Sequence, residues 1–245
     1  TAVVSVNEMG VVTVVGAGTA HITIKASETA NYKAEEKTIT VTVKSENSGT
    51  TTNTGDITPA VGTTVSTGTE SYKITKKGTE VAFAKTTKKT ASVTIPATIT
   101  VNNVTYKVTS VAANAFKNNK KLTKVTIGKN ITSIGNGAFQ NCTALKKVSL
   151  PDKTTVIGNN AFAGCRKLTG ITIGKGVTKI GKEAFKGCSK LAIVTIKTTK
   201  LKSVGKNAFK GIKTNAKIKV PAKKLSAYKK LLNGKGQGKK VKITR

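Results

Sequence analysis

Five phenylalanines set a ruler along the latter part of this 245-residue chain. Phe116, Phe139, Phe162, Phe185 and Phe209 stand 23, 23, 23 and 24 positions apart, and each follows an alanine (Ala115, Ala138, Ala161, Ala184 and Ala208). A fixed period of this length demands stacked repeats, because one short unit cannot bury its own apolar face and depends on its neighbours. It also narrows function, since a solenoid presents an extended surface rather than a deep pocket.

The best-formed unit reads Ile131-x-x-Ile134-Gly135-x-x-Ala138-Phe139-x-x-Cys142-x-x-Leu145-x-x-Val148-x-Leu150-Pro151. The next two repeat it through Gly158, Cys165 and Leu168, then through Gly181, Cys188 and Leu191. The first unit has Asn119 and the fifth has Ile212 at the cysteine position. The Leu-x-x-Val-x-Ile part alternates as a strand does, so stacked units should pair these strands in a parallel sheet. The Ala-Phe-x-x-Cys-x-x-Leu part has spacings of three and four, which predicts a single helical turn on the opposite side. Gly135, Gly158, Gly181 and Gly205 mark the turn between the two.

This string resembles the BspA-type leucine-rich repeat of bacterial surface proteins, over about residues 90–221. The resemblance implies a mainly β, right-handed leucine-rich-repeat solenoid of five units, with binding through the exposed sheet and no catalysis. It also implies a secreted or cell-surface location, with a signal peptide expected upstream of Thr1. The repeats are placed at 101–221. A hairpin cap, turning at Lys77-Gly78, is expected at 70–100, and a basic C-terminal cap at 222–245. In that cap Leu225, Tyr228, Leu231 and Leu232 fall on one helical face, ended by Gly234. A basic amphipathic helix of this kind also suits an anionic lipid surface or a partner.

Ahead of the repeats, residues 1–44 read as short alternating strands at 4–6, 11–15, 22–24 and 39–43. The segment around Asn7, Gly10, Gly16 and Gly18 resembles the end of a group 2 bacterial Ig-like domain, which implies a partial β-sandwich. Residues 45–69 are rich in Ser, Thr and Gly, the composition of a linker.

Charge is divided as unevenly as the repeats. The net charge is +33, yet residues 1–69 hold four lysines against six acids. The remainder carries 39 of the 43 basic residues and only four acids. That imbalance suits an anionic partner such as host matrix or a wall polymer. The bases are lysines except for Arg166 and Arg245, which favours diffuse attraction or solubility over bidentate phosphate recognition. Nucleic acid is not expected as a partner, because aromatics are 4% of residues and are committed to the core.

Catalytic groupings are lacking in this reading. The only histidine, His21, lies outside the repeats, and from Ala91 onward the acids are Asp152 and Glu183 alone. Neither a triad nor a carboxylate pair is legible. Cys142, Cys165 and Cys188 are again 23 apart. Zinc sites use closely spaced pairs, and parallel Cβ vectors suit disulfides poorly, so the three are expected as a buried structural ladder beside the five phenylalanines. No metal and no cofactor are expected.

The strands themselves supply the candidate site. The middle residue of each points away from the core, so stacking builds a hydroxyl ladder of Thr126, Ser149, Thr172 and Thr195, ending at Lys219. Lys124 and Lys147 lie two residues earlier on the same face. This face is expected to bind a protein or glycan ligand without catalysis. The other reading is a wall-associated structural module held diffusely by its lysines. No stretch of the sequence is apolar enough to span a membrane.

Overall fold

A computed structural model describes residues 4–6, 12–14, 18–26, 35–43, 58–87 and 91–245. Two units are distinguished, Thr1–Asp56 and Ile57–Arg245. In the first, Val4–Val6 pairs antiparallel with Val12–Val14, and Gly18–Ala26 with Glu35–Val43. The turns and the sandwich reading of the Ig-like resemblance fall largely on segments outside the described residues. So do residues 45–57 of the linker, but Thr64–Thr67 at its end is a strand paired antiparallel with Glu70–Lys76.

The second unit is a parallel-strand solenoid of about seven coils. Each coil places one strand in a seven-stranded parallel sheet: Ser92–Ile95, Lys124–Ile127, Lys147–Ser149, Gly170–Ile173, Ile193–Ile196, Lys217–Lys219 and Lys242–Thr244. Register follows the repeat, with Lys147 beside Gly170, Gly170 beside Ile193 and Ile193 beside Lys217. A second sheet runs along another side through two-residue strands such as Ser133–Ile134, Val156–Ile157 and Lys179–Ile180, also parallel. Alternation decides which residues turn inward, so Val148, Ile171 and Val194 are buried while their neighbours face solvent.

The third side is not helical. Two residues before and two after each of the five evenly spaced phenylalanines the backbone takes positive φ, as at Gly137 and Asn141 around Phe139, and at Asn160 and Gly164 around Phe162. Positive φ breaks a helix at each point, and short turns form instead, closed by bonds such as Cys142 N–H to Phe139 O at 3.1 Å. The freed amides reach the next coil: Gly137, Phe139 and Asn141 donate to Asn159, Ala161 and Ala163 at 2.7–2.8 Å. The spacing of three and four is therefore a turn pattern rather than a helix pattern.

All six phenylalanines share one stack. Phe83, Phe116, Phe139, Phe162, Phe185 and Phe209 lie with ring centroids 5.0–5.5 Å apart and planes within 11°. Tyr72 closes the stack edge-on to Phe83. Phe83 escapes the sequence ruler because an antiparallel hairpin, Thr98–Val101 with Val104–Val111, is inserted before Phe116. Its tip is Asn102-Asn103, both at positive φ, as a tight two-residue turn requires. The hairpin Glu70–Lys76 with Glu80–Thr86 precedes it and turns at Gly78, φ 66°.

At the other end the helix Leu225–Leu232 buries Tyr228 and Leu232. The Tyr228 hydroxyl accepts from Leu201 N–H and donates to Thr198 O, at 3.0 and 3.1 Å. The chain then returns, and Lys242–Thr244 adds a last parallel strand beside Lys217–Lys219. That strand was not legible, since Lys-Ile-Thr within a lysine-rich tail carries too short an alternation.

Candidate functional site

The candidate residues sit where the strand alternation places them. Lys124, Thr126, Lys147, Ser149 and Lys219 are exposed, and Thr172 and Thr195 half-buried, on the outer face of the seven-stranded sheet. Register aligns the ladder: Thr126 beside Thr94, Ser149 beside Thr172, Thr172 beside Thr195, and Thr195 beside Lys219, while Lys124 beside Lys147 joins the two parts. An open groove of about 1020 Å³ on this face takes in Lys124, Lys147, Ser149, Thr172 and Thr195. Thr126 lies in an adjoining depression of about 580 Å³ with Ser149, Lys129 and Asp152. Lys219 lines neither.

Ten further residues complete the groove. Lys146, Lys167 and Lys190 stand on its wall, while Gly170 and Ile193 form part of its floor. The two floor residues interrupt the column that holds lysine at 124, 147 and 217. Ile193 is 45% exposed, one of two large hydrophobics left exposed among the described residues. No Asp or Glu lines the groove, so its potential is uniformly positive.

The cysteine ladder belongs to the core. Cys142, Cys165 and Cys188 are free and fully buried. Each thiol donates to a phenylalanine carbonyl of the preceding coil, at Phe116, Phe139 and Phe162, all at 3.1 Å. The ladder expected from the sequence is thus buried, and its thiols also tie successive coils. In the first repeat unit Asn119 takes the cysteine position and accepts the amides of Lys121 and Leu122 at 3.1 Å.

Burial raises the Cys142 thiol well above its ordinary range, and the adjacent Cys188 thiol together with burial does the same to Cys165. A raised native pKa means that the folded chain keeps its protons after unfolded thiols have ionised. The stabilisation is thus complete below about pH 8.5 and declines above it. Chemical denaturation at about pH 7 and about pH 9.5 should therefore show wild type losing part of its advantage over a Cys142→Ala/Cys165→Ala variant.

The two acids of the repeats are each met by lysine and lie in different turns. Asp152 stands 3.9 Å from Lys175, and Glu183 is 3.2 Å from Lys186. Among the described residues, no group of three or more His, Cys, Asp or Glu could hold a metal ion. Also among them, no helix is long and apolar enough to cross a membrane.

A family model for the BspA type leucine rich repeat region matches residues 109–234 in six copies. The chain belongs to the BspA-type leucine-rich-repeat family. Five phenylalanine-marked units were read from the sequence, and the matched span runs beyond them into the terminal segment. Solved structures agree on the fold. A T. pallidum leucine-rich-repeat protein is similar at 25% identity and TM-score 0.56, covering 64% of this chain and 71% of its own. A leucine-rich cell surface protein from Faecalibacterium prausnitzii is similar at 26% identity and TM-score 0.50, with 74% of this chain and 50% of that chain covered. No curated protein matches the chain.

Proposed function

We propose that this protein is a non-catalytic, secreted or cell-surface binding module that presents the outer face of its seven-stranded sheet to a macromolecular ligand, protein or glycan. The observation that carries this reading is the groove, where the predicted lysine and hydroxyl ladders meet around an exposed isoleucine on a rigid parallel sheet. Sites built on strands hold their geometry better than sites on loops. The BspA-type repeats and the surface location named for the F. prausnitzii protein support an extracellular role in adhesion to host matrix, epithelium or other bacteria.

A second reading draws on the net charge of +33. In it the lysines hold the chain diffusely to an anionic wall polymer, and no particular face matters. Salt separates the two, since screening shortens to about 3 Å at 1 M. An array of matrix proteins and anionic polysaccharides is probed at about 0.1 M and about 1 M salt with wild type, Ser149→Trp and Thr172→Trp. Face-specific binding keeps at least one signal at high salt and loses about tenfold or more in either tryptophan variant. Signals that vanish with salt and ignore both substitutions would establish the diffuse reading instead.

A further inference from the structure

Gly170 has no structural reason to be glycine. Its φ is not positive, and a Cβ built on it would meet only the Ile193 carbonyl oxygen, at an ordinary 3.7 Å. Neighbouring glycines differ sharply: at Gly158, Gly174 and Gly181 a Cβ would come within 2.5–2.7 Å of the adjacent coil's backbone. Lysine occupies the equivalent strand position at 124, 147 and 217, so the fold accepts a long side chain there. A strand glycine without a packing role leaves room for something to approach the sheet closely.

The surroundings state what that something is. Along the column the order is Lys124, Lys147, Gly170, Ile193, Lys217, Lys242. A hollow two strands wide, floored by glycine and an exposed isoleucine, is thus closed at both ends by lysines. Three inter-strand steps separate Lys147 from Lys217, about 14 Å. An extended polypeptide advances about 3.4 Å per residue with residues i, i+2 and i+4 on one face. Its i and i+4 side chains therefore span about 13–14 Å, with i+2 at the centre. The ammonium groups at the two ends call for carboxylates at i and i+4, and the hollow calls for an apolar side chain at i+2. The Ser149, Thr172 and Thr195 hydroxyls alongside can bond to the backbone of such a segment.

Resting on the reading that the sheet face binds a macromolecule, we propose that this hollow recognises an extended acidic segment of a partner protein, with acidic residues at i and i+4 flanking an apolar residue at i+2. A polypeptide is favoured over an anionic glycan because the groove offers an apolar seat and hydroxyls. It has no aromatic ring or Asp, Asn, Glu or Gln to order a sugar.

The test uses the full chain and three labelled heptapeptides: Gly-Glu-Thr-Leu-Thr-Glu-Gly, the same with Ser for Leu, and the permuted Gly-Glu-Glu-Leu-Thr-Thr-Gly. Fluorescence anisotropy and amide chemical shifts follow binding. The first peptide should bind about tenfold more tightly than either control and shift the amides of Gly170 and Ile193. Gly170→Lys is decisive, because it adds a positive charge and fills the hollow. Binding of the first peptide should fall about tenfold, whereas a heparin fragment, held by charge, should bind as well or better. Ile193→Ser should remove the preference for leucine over serine.

Equal affinity for all three peptides, no detectable binding, or tighter binding by Gly170→Lys overturns the proposal. So does a heparin fragment that is lost on Gly170→Lys, which would make the occupant a glycan and leave the sheet-face reading standing. The sheet-face reading itself falls only if the array signals ignore Ser149→Trp and Thr172→Trp.

Discussion

Phe162→Ala is expected to lower the unfolding free energy by about 3–5 kcal/mol. The ring is fully buried between Phe139 at 5.1 Å and Phe185 at 5.5 Å, with planes within 6° of both. Truncation removes its burial and both stacking contacts. The void cannot close by bringing coils together, because the rise per coil is held by backbone hydrogen bonds on all three sides. On the turn side alone, Phe162 N–H bonds to Ala184 O at 2.8 Å and Gly164 N–H to Lys186 O at 2.7 Å. An unrelaxed cavity carries the upper part of the known range. In a linear stack a weakened central interface also uncouples its two halves. Guanidinium unfolding followed by circular dichroism should then show a lower midpoint and a broadened or split transition. A loss below about 1 kcal/mol would mean that the stack is not what holds the coils together.

Gly181→Ala should be nearly as damaging, at about 3 kcal/mol, and Gly181→Val worse. A Cβ there would lie 2.5 Å from the Asn159 nitrogen and the Gly158 carbonyl carbon. Both are backbone atoms of the preceding coil, and that coil cannot retreat. The Asn159 carboxamide accepts the Lys182 amide at 2.8 Å, and Gly181 N–H bonds to Ile157 O at 2.8 Å. Separating the chains enough to admit a methyl group would break these bonds. Gly170→Ala is the matched control, with room for its Cβ, and should change stability by no more than about 0.5 kcal/mol. Thermal melting of the two variants side by side tests the contrast. Equal melting temperatures would contradict the close approach at Gly181.

The difference between those two glycines marks the limit of what the chain's letters reveal. Both belong to the repeat, but the sequence marks only Gly181, as a turn, and says nothing of Gly170. One is compelled by a neighbour 23 residues earlier, the other by nothing in the fold. Phe83 makes a similar point, since its place in the stack is hidden by an inserted hairpin that adds length without changing the coil geometry. The helical turn expected at Ala-Phe-x-x-Cys became a run of tight turns. Residues at positive φ, Asn or Gly except for Glu183, sit two residues either side of Phe116, Phe139, Phe162, Phe185 and Phe209, and period alone does not distinguish a helix from turns that repeat every three or four residues.

The candidate site was half legible. Strand alternation alone put Lys124, Thr126, Lys147, Ser149, Thr172, Thr195 and Lys219 on one face, because side chains two apart must point the same way. It could not show that Lys146, Lys167 and Lys190 come in from the preceding turns, since a turn sets direction by its dihedral angles.

What the sequence determined by itself was the period: parallel stacking, an inward phenylalanine and cysteine ladder, an outward hydroxyl ladder, and positive charge concentrated in the repeats. These follow from spacing and composition, which survive any detail of the backbone. The tertiary structure alone decided the tightness of each coil-to-coil contact, the sixth ring of the stack, the returning last strand and the hollow at Gly170 and Ile193. Those depend on distances between residues about 23 or more positions apart, which are set by backbone hydrogen bonds across coils and have no signature in any single unit.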